Sequence, residues 1–426
     1  MKLLTALSLS AALLASAAAA QTPIAPRAKV EALAAAIDAQ FYDPARAGRI
    51  AAELRAEARK GTYDKLTDPR DFAAALTERL RPQDGHFAVN WTPPAAASTA
   101  GPARSGPPPF LSRRGGYGFV AVKVLPGNIG YIDMRGFADF APTGDQAARQ
   151  AADAALALVA GTDALIFDMR DNGGGSAVMV GYLVGHFVPD GAKIYNTFKT
   201  RGEPDSDEAP TVPITGRRLD VPLYVLTSGR TASAAESFAY TLQAAKRASV
   251  VGEASAGGAN PGGGAPLGDG LSVFISSGTP INPITGKNWE GTGVTPDVAV
   301  PAAQALDRAQ QLALTQLVAA PLEPAALTEN RWVLEALSAP GQGPQDLARY
   351  EGGYGPYQAK VVDGRLQLTS GRRPPSVLTP LDDKGLFFVE GAPSRRVRFD
   401  AAALVFLSPD GSQTRQPRHG AATGAS

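Results

Sequence analysis

Two stretches of this 426-residue chain hold residues whose types and spacing could do chemistry. The first, "VLTSGRTASAAESFAYTL", runs from Val225 to Leu242 and reads as a buried strand, a tight turn and a helix. Its hydroxyls concentrate at the junction. Ser233, flanked by Ala232 and Ala234, would stand at the end of a sheet beside the unpaired N–H groups of the helix's first turn. That setting suits a nucleophile, although the G-x-S-x-G elbow is absent. It equally suits a plain helix cap by Ser233, Thr231 or Ser228. The residues alone leave both readings open.

The second stretch, "LIFDMRDNGGGSAV", runs from Leu165 to Val178. A buried strand ends in Arg170-Asp171-Asn172, and three glycines then open a helix. Such glycines let backbone N–H groups approach a ligand oxygen. The Lys-Ser/Thr of a phosphate-binding P-loop is missing, and G-x-G-x-x-G does not fit. The remaining readings are an oxyanion-binding backbone or a tight structural turn.

A serine nucleophile needs a base. The chain has three histidines, His86, His186 and His419. His419 lies near the C-terminus, and His186 falls within the apolar run "VGYLVGHFV", where a packed structural role is expected. His86, in "RPQDGHFAVNW" beside Gly85, is the base the sequence offers. Three such histidines without matching carboxylates do not make a metal site, and H-E-x-x-H is absent. No metal and no cofactor is expected.

These residues need elements to hold them. Residues 1–20, "MKLLTALSLSAALLASAAAA", combine Lys2, an apolar run and small residues before Gln21, the pattern of a secretory signal, so a periplasmic or secreted protein is expected. Residues 24–90 carry three helical patterns, the last begun by Asp68-Pro69 as cap and first turn. Residues 91–109 are a Pro- and Ala-rich linker. Over 110–320 strands alternate with helices, an α/β core, with Thr143 a cap candidate for one of its helices. Residues 345–411 read as an antiparallel β domain with Asp-Gly turns at Asp363-Gly364 and Asp410-Gly411, and 412–426 as a frayed tail. The net charge of +1 offers no basic block for nucleic acid, and after the signal no stretch is long and apolar enough to span a bilayer. Without cysteine, disulfide and thiol chemistry are excluded.

Taken together, "DMRDNGGG", "TSGRTASAAESFAYTLQAAKRASVVGEASAGG" and "NWEGTGVTPDV" resemble the tail-specific, or C-terminal-processing, serine peptidase family, over about 105–300 plus the His86 segment. The resemblance implies a spiral ββα core of the Clp protease and crotonase kind. One branch of that family uses a Ser–Lys dyad, but Gly258 stands at the lysine position and Ala244 where an acidic residue is usual. The other branch, of the tricorn core and the interphotoreceptor retinoid-binding-protein-like proteins, takes its histidine from a D-G-H segment and a glutamate before G-V-x-P-D. Here these are Asp84-Gly85-His86 and Glu290. The resemblance thus implies a Ser233–His86–Glu290 triad and oxyanion donors at the backbone N–H of Gly174 and Ala234.

Asp84, only two residues from His86, is expected to be poorly placed to brace the ring. Arg170 and Asn172 are expected to tie the glycine loop to its surroundings, Glu236 to be solvated or to complement the helix dipole, and Lys287 to lie on a surface loop. The expected partner is a peptide or unfolded protein, hydrolysed through an acyl-enzyme. Two other readings remain: a non-catalytic binder of apolar ligands on the same fold, and a hydrolase of a non-peptide ester or amide.

Overall fold

A computed structural model of the chain describes residues 24–93, 108–141, 145–338 and 346–419. The expected signal segment, most of the linker, Thr143 and the last residues lie outside the described residues. Two compact units result. One takes the N-terminal part together with 262–277, and the other takes the rest.

The N-terminal unit begins with α1 (Pro26–Gln40), α2 (Pro44–Arg59) and α3 (Pro69–Leu80). Each has proline in its first turn, where the missing N–H is no loss. Asp43 caps α2 by accepting from Ala45 and Arg46, and Asp68 caps α3 by accepting from Arg70 at 2.8 Å. Leu33, Ile37, Ile50, Leu54, Phe72 and Leu76 bury one stripe of each helix in a common core. A three-stranded antiparallel sheet completes that core. In it β10 (Leu271–Ser276) lies between β1 (Ala88–Trp91) and β9 (Gly262–Gly268). The β9–β10 hairpin was expected within the α/β core of 110–320, but it belongs to this unit. Its Asp269-Gly270 turn has positive φ at both residues, the hairpin geometry that Asp-Gly favours. Ala265, Leu267, Leu271, Val273 and Ile275 then alternate inward onto the helices.

The second unit is built on a six-stranded sheet in the order β12 (Val298–Ala299), β8 (Ser249–Gly252), β7 (Leu223–Thr227), β4 (Ala164–Asp168), β3 (Ile129–Met134), β2 (Phe119–Leu125). Every pair is parallel except β2–β3. Every residue of β3, β4 and β7 is buried, as a parallel sheet covered on both faces requires. On one face Ile132, Leu165, Phe167, Val225 and Val250 pack with α4 (Ala147–Leu158), α5 (Ala177–Gly185) and α6 (Ala234–Ala244). On the other, Tyr131, Ile166, Tyr224 and Val251 meet α7 (Ala305–Val318) and α8 (Pro324–Ser338). A small sheet of β5 (Thr197–Thr200), β6 (Ser206–Asp207) and β11 (Gly278–Ile281) stands apart from the main one.

The C-terminal β domain is an antiparallel meander of eight strands. These are β13 (Gly352–Tyr354), β14 (Tyr357–Val362), β15 (Arg365–Thr369), β16 (Ser376–Pro380), β17 (Leu386–Val389), β18 (Ala392–Phe399), β19 (Ala403–Leu407) and β20 (Gln413–Pro417). A bridge between Tyr354 and Arg418 joins its two edges, with Gly355 N–H donating to Pro417 O and His419 N–H to Gly353 O. The meander therefore closes into a barrel, which removes its exposed edges. The expected frayed tail from 412 is corrected here. Its first residues form β20, because the barrel cannot close without them.

Candidate active site

In the second unit, four loops at the carboxyl ends of parallel strands and just beyond carry the candidate residues, the end at which open α/β sheets place their sites. The loop after β7 leads into α6 through Ser233, whose φ of 56° and ψ of −123° lie where side-chain-bearing residues are strained. The strain is held by bonds from the residues just before it. Thr231 Oγ1 donates to Met169 O, Ser228 Oγ donates to Arg170 O, and Ala232 N–H donates to Asn172 O at 3.0 Å. The result lifts Ser233 out as an exposed residue while Ala234, Ala235 and Glu236 behind it are buried.

The glycine loop after β4 runs directly beside this elbow. A Cβ on Gly174 would lie 2.7 Å from Ser233 Cβ and 3.0 Å from Ala234 N, and the residue's φ is 104°. Glycine is thus required twice over, by space and by conformation. Gly174 N–H donates to Asn172 Oδ1 at 2.9 Å, which sets the turn. Arg170 grips Asp168 through two guanidinium nitrogens, at 2.9 and 2.6 Å, and donates to Ala302 O. Both Arg170 and Asn172 brace the loop, as expected of them.

Glu236 departs from its expected solvated role. It is fully buried, and four donors converge on its carboxylate. These are Ser233 N–H at 2.7 Å, Ser255 Oγ at 2.6 Å, Gly257 N–H at 2.7 Å and Gly258 N–H at 2.9 Å. Ser255 Oγ in turn accepts from Val294 N–H at 2.6 Å. One side chain therefore ties the serine elbow to the loop after β8 and, through it, to the segment beyond Trp289. The sequence signal was present as the S-x-x-E spacing of a capping box. Its burial depends on the 255–258 loop folding over it. Gly258, at the position where the dyad branch carries lysine, supplies only a backbone amide to this carboxylate.

Glu290 lies on the fourth loop. Its carboxylate accepts from Ala259 N–H at 2.8 Å and Asn260 N–H at 3.1 Å, and its own N–H donates to Asn288 Oδ1. Lys287, next to Asn288, is exposed, as expected.

His86 is carried by the N-terminal unit, on the turn before β1. Asp84 is buried there, and its Oδ1 accepts from His86 N–H at 2.8 Å and lies 3.1 Å from His86 Nδ1. The expectation that a two-residue spacing cannot brace the ring is corrected. The tight turn folds the carboxylate back to Nδ1, where it orients the ring. His186 is buried at the end of α5 with Nδ1 3.0 Å from Tyr182 O, and burial lowers its pKa. It is a packed residue, as its apolar surroundings predict.

Residues 128–300 match the model of peptidase family S41. Among solved structures, the chain is similar to a lipoprotein from Streptococcus agalactiae at 15% identity and a TM-score of 0.45, over 69% of this chain and 98% of that one. It is similar to a putative peptidase from Parabacteroides merdae at 19% identity and a TM-score of 0.44, over 65% and 90%. It is also similar to a photosystem II D1 C-terminal processing protease at 19% identity and a TM-score of 0.41, over 66% and 94%.

Proposed function

We propose that this chain, whose residues 128–300 belong to peptidase family S41, hydrolyses peptide bonds through an acyl-enzyme on Ser233. The observation that carries the reading is the strained, exposed Ser233 with the Gly174 backbone against it and the first N–H groups of α6 beside it. Strain at one non-glycine residue costs about 1–3 kcal/mol and is retained where it serves a site.

In this reading His86 takes the Ser233 hydroxyl proton as the oxygen attacks the substrate carbonyl carbon. The carbonyl π electrons move to oxygen, and that oxyanion accepts from Ala234 N–H and Gly174 N–H. The Gly174 donor would then be shared between Asn172 Oδ1 and the oxyanion, a three-centre bond of the kind common at helix ends. The C–N bond breaks as His86 returns its proton to the leaving amine, and water repeats the cycle on the ester. Glu290 is the third member of the triad, and Asp84 steadies the ring from its own turn. A backbone amide in place of the dyad lysine at Gly258 favours histidine as the base.

The substrate is a peptide or unfolded protein, and residues 1–20 would direct the enzyme to the periplasm or outside the cell. Among the described residues no helix is long and apolar enough to cross a membrane. A fluorophosphonate probe tests the reading. It should label the wild-type chain and not Ser233→Ala, and a peptide-library digest should show cleavage by the former alone. Undiminished labelling of the Ala variant would overturn the assignment.

A further inference from the structure

Inside the C-terminal barrel Tyr350, Tyr354, Phe387 and Phe399 pack ring on ring, with centroids 5.1–5.6 Å apart. The start of β14 and β16, the ends of β15, β17 and β19 and the middle of β18 line a cavity of about 350 Å³. That volume falls within the range of small-molecule sites.

The walls divide by chemistry. Leu368, Val389, Val397 and Phe406 give the apolar floor, and Tyr357 lies against Phe406 with ring centroids 4.9 Å apart. Arg373 and Arg395 are exposed lining residues, and Ser376 is a half-buried one. Among the described residues, the side chains of Arg373, Arg395 and Ser376 have no hydrogen-bond or ion-pair partner. Three other arginines of the domain, one of them the lining residue Arg396, are engaged. Arg396 pairs with Glu335 and Arg415 with Asp400, and Arg365 pairs with Glu390, which removes the acid nearest Val389 from the balance. The cavity therefore presents an apolar chamber beside two uncommitted guanidinium groups.

We infer that this cavity binds a small amphiphilic acid, with an aromatic or branched body in the chamber and one anionic head on Arg373 and Arg395. Guanidinium forks match carboxylates in planar geometry, and hydrogen bonds between charged partners are about twice as strong as neutral ones. The apolar floor excludes a bare inorganic anion as the preferred ligand, because nothing would cover Leu368 and Phe406.

The test is calorimetric titration of the full chain with naphthalene-2-carboxylate and, separately, with the uncharged naphthalene-2-carboxamide. The carboxylate should bind one to one, and the amide about tenfold more weakly, the equivalent of one lost charge-assisted bond. The exposed pair Arg373→Gln and Arg395→Gln, combined, should bring the carboxylate down to the affinity of the amide. Phe406→Leu should weaken both compounds. No saturable binding of the carboxylate, equal affinities for the two compounds, or an unchanged affinity in the double variant would each overturn the proposal.

Discussion

Ser233 N–H donates to the carboxylate of Glu236 at 2.7 Å, three residues along the chain, and the same carboxylate holds Ser255, Gly257 and Gly258. The backbone strain at the serine is thus borne by a side chain with no role at the reacting atoms. Glu236→Gln keeps the shape but turns one acceptor into a donor that faces N–H groups. Leaving buried donors unsatisfied costs roughly 1–3 kcal/mol each, so stability should fall by about 2–4 kcal/mol. Turnover should fall more than KM rises, because the elbow is what loosens. Denaturant unfolding together with steady-state kinetics checks both, and a variant with wild-type kcat would show that Glu236 only fills space.

Gly174→Ala places a methyl group 2.7 Å from Ser233 Cβ, at a φ of 104°. The loop must retreat from the serine, and a displacement of about 1 Å at a reacting group can lower rates about 100-fold. Peptidase turnover and fluorophosphonate labelling should drop together by at least that factor. Circular dichroism should remain that of a folded α/β protein, since the sheet beneath is untouched.

The φ of 56° at Ser233 gives a prediction of opposite sign for stability. Ser233→Gly removes the Cβ that makes this conformation unfavourable, whereas Ser233→Ala retains it. Both should be inactive. The glycine variant should be more stable than the alanine variant by about 1 kcal/mol, less the extra entropy of an unfolded glycine. A glycine variant less stable than the alanine one would show that the elbow is not strained.

The elbow was legible in the sequence because strand, small-residue turn and helix follow one another without a break. The glycine loop was legible for the same reason. The capping spacing of Glu236 was legible but its burial was not, since a polar residue in a helix's first turn looks solvated until the chain that covers it is known. Asp84 was misjudged because spacing along an extended chain says little about a tight turn. The β9–β10 hairpin alternates like any core strand pair, and nothing local says which unit it completes. Barrel closure rests on Tyr354 meeting Arg418 across the whole domain, a pairing with no local signature.

The proposed mechanism offers two carboxylates, Asp84 and Glu290, for orienting His86. Asp84 Oδ1 lies 3.1 Å from Nδ1, while the Glu290 carboxylate accepts from two amides on a different loop. With Glu290 as the third member of the triad, Glu290→Gln should lower kcat by about 10⁴, as loss of the orienting acid does in such sites. Asp84→Asn should then lower it by roughly tenfold, the share of a supporting hydrogen bond. The reverse ranking in steady-state kinetics would assign the role to Asp84.

Glu208 is buried beneath α6 in a polar cluster, one turn along the helix from the serine. Its Oε2 accepts from Ser237 Oγ at 2.5 Å and Asn196 Nδ2 at 3.0 Å, while Oε1 has no partner among the described residues. Burial raises its pKa to about 7, against which the two hydrogen bonds work only in part. The fold therefore binds this proton more tightly than the unfolded chain does. Below the unfolded carboxyl's pKa of about 4.3 the group is protonated in both states and opposes folding least. As pH rises, the unfolded chain ionises first and stability falls, levelling off above the folded pKa of about 7. The decline should amount to on the order of 3 kcal/mol. Glu208→Gln should flatten it. Denaturant titrations at intervals between those two pKa values measure the slope, and a slope unchanged in the Gln variant would show that Glu208 does not carry it.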